Sequence, residues 1–282
     1  MKRILVIGAA GNTGHPITEG LTAEGFTVRT ATRDARPPGG AAEHARFDWA
    51  DPTTHEAALE GVNRMYVLAP ALVEDPSVLM VPFLERALRR GVRRVVLLSS
   101  SAVPEAGPGL GQVHHFLRQH APEWSVLQPS WFMQNFIHPR HHWAAGLQRD
   151  GTLVTATGDG RVGFVDAADI AAVGIRALAD DASHDTAHVI TGPQALSYDD
   201  VAAILSRVWN RPIRHARASP EEALRHLRDA GMPDTYARLL TMLDGLIHDG
   251  AEDRVTDTVS RITGHSPRDF ESFLRAHRPV WR

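Results

Sequence analysis

The sequence predicts an α/β protein with a doubly wound parallel sheet and a smaller, mainly helical C-terminal lobe. Three observations predict it. Short apolar runs alternate with helical patterns through the first half of the chain. The first run ends in a glycine-rich turn, Gly8-Ala9-Ala10-Gly11-Asn12-Thr13-Gly14. Beyond about residue 137 the alternation loosens and amphipathic helices dominate.

Residues 4–7 are a continuous apolar run stopped by Gly8, the pattern of a strand buried on both faces. After the turn, Pro16 suits a first helical turn, Ile17 and Leu21 share a face, and Gly25 ends the helix. Residues 26–32 read as the second strand, which completes a β-loop-α-β unit. Residues 46–48 read as a third strand, 53–60 as a helix and 64–68 as a fourth strand ending at Ala69-Pro70. A helix over 78–90 precedes a fifth strand at 94–98, which runs into Ser99-Ser100-Ser101. A helix over 112–120 leads to a sixth strand at 125–127. Residues 152–157 read as an edge strand, 166–178 as a helix, and 187–192 as a strand returning to the sheet. Ser197 caps a helix whose first turn holds Asp199 and Asp200. Tyr236, Leu239, Leu240, Leu243 and Ile247 form one stripe of a later helix. These elements divide the chain into a nucleotide-binding domain over 1–150, joined by the returning strand, and a substrate or lid lobe over 151–282.

Composition excludes several function classes. The chain has 282 residues, 43% of them hydrophobic, enough for a large core. A net charge of -3 without a basic run gives no support to a nucleic-acid partner. There is no cysteine, so disulfides and thiolate chemistry are excluded. The apolar run at 4–7 is too short for a signal peptide and no stretch is long enough to span a membrane, so a cytoplasmic monomer or homodimer is expected. Lys2 is the only lysine, which removes lysine chemistry from every interior position.

The spacing G-x-x-G-x-x-G between a strand and a helix has a physical reading, and the fold it implies is of the Rossmann type. Gly8 permits the sharp turn, Gly11 the close approach of backbone to a pyrophosphate, and Gly14 the packing of helix on strand. Asn12 and Thr13 stand at the helix start, where free N–H groups and the helix dipole attract phosphate. At the end of the second strand an NAD site places an acidic residue; here Arg33 holds that place and suits a 2′-phosphate, with Arg36 nearby. Asp34 is one residue of register from the ribose, so the alternative stays open, but the balance favours NADP(H). Asp48 is placed to accept from the adenine amino group or to cap a turn, and Ala69, Pro70 and Ser99 end strands along the cofactor's path.

Several segments together resemble the NmrA-like branch of atypical short-chain dehydrogenase/reductases: Gly8 to Gly14, RRVVLLSSS at 93–101, WSVLQPSWFMQNF at 124–136, GDGRVGFVDAADI at 158–170 and TGPQALSYDDVAAIL at 191–205. Within it the chain is similar to bacterial relatives of the ergot-alkaloid (festuclavine and agroclavine) dehydrogenases. That resemblance implies a Rossmann fold, NADP(H), and reduction of a small C=N or C=C substrate. The branch also contains quinone reductases and non-catalytic NADP(H) sensors, so fold does not settle activity.

The usual short-chain dehydrogenase acid is a tyrosine with a lysine four residues on. Tyr66, Tyr198 and Tyr236 have no such partner, which excludes that mechanism. Ser100 and Ser101 remain as positioning groups, and His114, one helical turn before Arg118, is the candidate proton donor. An imine relaxes the need for a strong acid, since an iminium accepts hydride directly. Trp131, Phe132, Met133, Gln134 and Asn135, with Phe164, are the candidate lining for a flat apolar substrate. The cluster His138, His141 and His142 lacks an aligned carboxylate set, so no metal is expected. Asp166 and Asp169 read as helix-start residues. The expected function is an NADPH-dependent reductase of an imine, enone or quinone-like molecule, in secondary metabolism. The alternatives are an NADP(H)-sensing regulator and a cyclase or isomerase.

Overall fold

The computed structural model describes residues 3–34, 43–139 and 141–277. In chain order the elements are β1 (Arg3–Ile7), α1 (Gly14–Ala23), β2 (Thr27–Thr32), β3 (Glu43–Arg46), α2 (His55–Leu59), β4 (Val62–Leu68), α3 (Ser77–Arg89), β5 (Arg94–Leu98), α4 (Leu110–His120) and β6 (Glu123–Pro129). There follow α5 (Ala144–Arg149), β7 (Thr152–Thr155), β8 (Arg161–Val162), α6 (Ala167–Ala179), β9 (Thr186–Ile190), β10 (Leu196–Ser197), α7 (Tyr198–Trp209), β11 (Arg214–Arg217), α8 (Pro220–Asp229), α9 (Asp234–His248), α10 (Thr258–Thr263) and α11 (Phe270–Ala276). Among the described residues no helix is long and apolar enough to cross a membrane.

The chain forms two compact units, and no single cut near residue 150 separates them. The first comprises residues up to Pro129, then Ala167–Val189 and Arg261–Gly264. The second comprises Ser130–Asp166, Ile190–Ser260 and the residues from His265 on. The expected boundary is therefore corrected. The chain leaves the first unit as β6 ends, about twenty residues early. It returns for both α6 and β9, because the sheet needs a helix on its second face and an outer strand.

The first unit is a seven-stranded sheet in the order β3-β2-β1-β4-β5-β6-β9. The pairings from β3 through β6 are all parallel. One face is covered by α2, α3 and α4 over a core that includes Leu5, Val67, Phe83, Leu97, Val113 and Leu117. On the other face α1 packs against α6 closely enough that a side chain at Gly20 would meet Ile175, and one at Gly174 would meet Ile17 and Leu127. The third strand lies at Glu43–Arg46 and not at 46–48, with Arg29 and Arg3 both bonded to Glu43 at its start.

The second unit is mainly helical. It has a parallel pair, β7 with β11, and an antiparallel pair, β8 with β10. The strand expected at the sheet edge near 152–157 is thus β7, paired to β11 in a separate two-stranded sheet. Its aromatic core joins Phe136, Trp143, Phe164, Tyr198, Phe270 and Phe273. Ser197 closes a capping box with Asp200 at the start of α7.

Candidate cofactor and substrate sites

Parallel strands bring the ends of β1, β2, β4, β5 and β6 to one edge of the first unit, the edge at which open α/β sheets bind ligands. Gly8 leaves β1 with φ 73°, and its N–H donates to the carbonyl of Ala31 at 3.0 Å. The Gly11 N–H donates to the Gly8 carbonyl at 2.9 Å, which closes the turn. A Cβ at Gly14 would lie 2.3 Å from that same carbonyl oxygen, so only glycine lets α1 start this close to the loop. Ala10, Gly11 and Asn12 are exposed, with the N-terminus of α1 directly behind them. This cradle fits a dinucleotide pyrophosphate, because free N–H groups and the positive helix end face the same solvent. Thr13 is buried and hydrogen-bonds the Tyr66 hydroxyl at 2.8 Å. Burial pushes the Tyr66 phenol up, so it braces the loop as a neutral strut.

Arg33 is exposed just beyond β2 and makes no ion pair among the described residues, which leaves its guanidinium available to an anion. The backbone beside it is fixed: the Asp34 carbonyl accepts from Thr32 Oγ1 at 3.1 Å and from His44 Nε2 at 3.0 Å. Arg36 lies outside the described residues. Asp48 is half-buried after β3, and its Oδ1 accepts the Ala50 N–H at 3.0 Å. Ala69 and Pro70 are half-buried after β4.

The serine run continues the β5–β6 pairing past the strand. The Ser99 N–H donates to Leu127 at 2.8 Å and the Ser101 N–H to Pro129 at 3.0 Å. Ser100 turns its hydroxyl to accept the Ala102 N–H at 3.2 Å. His114 is not brought to these serines. It lies on the inner face of α4, 4% exposed, with its ring 5.5 Å from Trp124. Trp124 is level with Val95, and Ser100 stands five residues further along, roughly 16 Å at strand rise. Burial holds the His114 imidazole below its ordinary value, and among the described residues its Nδ1 has no hydrogen-bond partner. A helix returning antiparallel to the strands carries its second turn down the sheet, so His114 is a packing residue. Arg118 pairs instead with Glu105 at 2.7 Å.

The second unit contains a cavity of about 220 Å³. The segment after β6 supplies Trp131, Asn135, His141, His142 and Trp143 to its wall. Helix α9 supplies Tyr236, Leu240, Leu243 and Asp244, which share one helical face. Ala223 and Leu227 of α8 and Val154 of β7 close it. Of the candidate lining, Trp131 and Asn135 are in place. The 3₁₀ turn at Met133–Phe136 rotates Met133 into the core, where Phe164 also lies, each 1% exposed. Gln134 is a strut, its Nε2 donating to Asp166 Oδ1 at 2.7 Å. Phe132 pairs with Val165 in a backbone bridge and does not line the cavity. Asp166 is buried and bound to Arg268 at 2.9 Å.

Burial sets the protonation of this wall. His141 and His142 are held down to about 3 and about 4, so both are neutral near neutral pH. Burial pushes Asp244 up to about 6, although its Oδ2 accepts the Ala156 N–H at 2.8 Å. Among the described residues no group of three or more His, Asp or Glu side chains is arranged to hold a metal ion.

A family model described as NmrA-like matches residues 111–274, more than half of the chain, and one described as NAD(P)H-binding matches residues 8–181. The chain belongs to the NmrA-like family. It is an NAD(P)H-binding oxidoreductase. At 42% identity it is similar to the uncharacterized oxidoreductase YesF of Bacillus subtilis, over 99% of this chain and 96% of that protein. At 34% identity it is similar to agroclavine dehydrogenase of Claviceps fusiformis, over 99% of this chain and 98% of that protein. The structure of an NADPH-dependent quinone oxidoreductase of Escherichia coli, solved with NADPH, superimposes with a TM-score of 0.82 at 20% identity, covering 97% of this chain and 99% of that one. That last likeness is one of fold.

In this NmrA-like chain the wall residues that sequence reasoning missed include Trp143, Asp244, Ala223 and Leu227, while His141 and His142 were weighed only as metal ligands. The α9 stripe pointed to Tyr236 and Leu243. Asp244 directly follows Leu243 and carried no separate signal, because a carboxylate on an amphipathic helix is ordinarily solvated.

Proposed function

We propose that this NmrA-like protein is an NADPH-dependent reductase of a small, flat imine-, enone- or quinone-like molecule of secondary metabolism, acting in the cytoplasm as a monomer or homodimer. Gly8, Gly11, Asn12, Thr13 and Gly14 hold the pyrophosphate, and Arg33 selects the 2′-phosphate. Ala69, Pro70 and Ser99 back the dinucleotide, while Ser100 and Ser101 orient polar groups at the same edge. When bound, NADPH supplies hydride. Trp131 and Asn135 hold the substrate ring, with Trp143 and Tyr236 beside them.

The observation that carries this reading is the aromatic cavity, whose walls suit a small ring system and offer Asn135 as a directional polar contact. The tyrosines agree with it. Tyr66 and Tyr198 are fully buried, and no tyrosine has the lysine partner that alcohol or ketone chemistry uses in the wider fold class. A protonated imine then needs hydride alone, because it already carries its proton, and water supplies the proton that an enone or quinone requires.

The test is a fluorescence titration with NADPH and NADH, followed by NADPH oxidation against a panel of cyclic imines, enones and quinones. Tighter NADPH binding with substrate-dependent oxidation is expected. Binding without oxidation across the panel would replace the reductase with an NADP(H) sensor, and absence of nucleotide binding would remove both.

A further inference from the structure

We propose that Asp244 is the recognition point for a flat organic cation, so that the site selects cationic over neutral ring systems of the same shape; this rests on the reductase reading above. Among the described residues Asp244 is the only carboxylate on the cavity wall. One of its oxygens accepts the Ala156 N–H, and among the described residues no arginine or histidine pairs with it. A half-buried carboxylate without a counter-ion is costly unless a ligand supplies one. Trp131, Trp143 and Tyr236 line the same cavity, and the electron-rich faces of such rings attract cations.

Among the described residues no other charge on the wall competes. His141 and His142 are kept neutral by burial, and exposed His226 acts on His142 from α8. The Tyr198 phenol behind Asp244 is pushed up by burial and by that carboxylate. Tyr236 is the remaining titratable group on the wall. With Asp244 ionised, the cavity is a negative site walled by aromatic rings.

The probe is 2-methyl-3,4-dihydroisoquinolinium, a permanent cation, compared with 3-methyl-1,2-dihydronaphthalene, its neutral isostere. Each is titrated calorimetrically into NADP⁺-saturated protein, where no turnover occurs. The wild type is expected to prefer the cation. Asp244→Asn is expected to lower the ratio of cation to neutral affinity by about tenfold or more. Wild-type cation affinity should also fall between about pH 7.5 and pH 5, as Asp244 takes up a proton, and this readout needs no variant. Equal cation binding in wild type and Asp244→Asn, or a flat wild-type pH profile, overturns the assignment. Failure of NADP⁺ to bind sinks the reductase reading instead, and the two failures are read separately.

Discussion

A single methyl group at residue 14 decides whether the nucleotide edge exists. Gly14→Ala would place carbon against the Gly8 carbonyl, which is itself tied to the Gly11 N–H and cannot yield cheaply. We expect about 1–3 kcal/mol of lost stability, as for other overpacked sites, and a NADPH affinity lowered by about tenfold. Nucleotide fluorescence beside a urea titration measures both, and unchanged affinity would mean that the loop does not hold phosphate. Arg33→Ala is expected to weaken NADPH by roughly ten- to a hundredfold while leaving NADH nearly as before. The readout is the ratio; if it does not move, Arg33 is only a solvated charge. At this scale the glycine spacing was legible because each position has a local backbone reason. His114 was not. Its spacing from Arg118 reports a shared helix face, but the height of that face along the sheet depends on where α4 begins. Asp244 was illegible for a related reason, since its wall joins segments about a hundred residues apart in sequence.

Among the elements, α6 shows how charge is used without a site. Arg94, 1% exposed, donates to the carbonyls of Leu178 at 3.3 Å, Asp180 at 2.5 Å and Asp181 at 3.1 Å, and pairs with Glu123 at 2.6 Å. Arg64 is also buried and bonds the Leu178 carbonyl. Two cations thus satisfy the last turn of α6, where the helix dipole is negative and carbonyls would otherwise be orphaned. Arg94→Met should cost about 3–5 kcal/mol, because it leaves those carbonyls and Glu123 without their partner. A urea midpoint checks this; a loss below about 1 kcal/mol would show that water replaces the guanidinium. Elements with strong periodicity, such as β1, β4, β5 and α7, were readable from sequence. The strand β3 was displaced toward Phe47 because its own residues, Glu-His-Ala-Arg, are polar, and β11 (Arg-His-Ala-Arg) was missed for the same reason. Such strands are defined by pairing and not by burial.

For the whole molecule, buried imidazoles set the acid limit. His141, His142 and His188 are held by burial to about 3, about 4 and about 4. The unfolded chain protonates each near the ordinary value of 6.5, so between there and about 4 the unfolded state binds more protons and stability falls as pH falls. Asp244 opposes them: raised to about 6 from 3.8, it keeps a proton in the folded state that the unfolded chain releases. His141, His142 and His188 outweigh Asp244 and leave a net loss of about 1–3 kcal/mol per pH unit between about pH 6 and 5, and His55, His114 and His215, which burial also lowers, add to it in the same direction. Urea midpoints across that range test the sign, and a midpoint that is flat or rises on acidification would mean that these histidines reach water in the folded protein.

The late return of β9 has a consequence for how the protein is made. A nascent chain that has delivered β6 to the ribosome surface still holds Arg64 and Arg94 without the carbonyls of residues 178–181, and β6 without its outer neighbour. The first unit therefore cannot settle vectorially behind the ribosome; it must wait while Ser130–Asp166 of the second emerges. During that interval an unpaired parallel edge and the Arg64 guanidinium are open to chaperones, while Arg94 has only Glu123. A chain halted at residue 150 is expected to be degraded, whereas one reaching residue 190 carries everything its sheet needs.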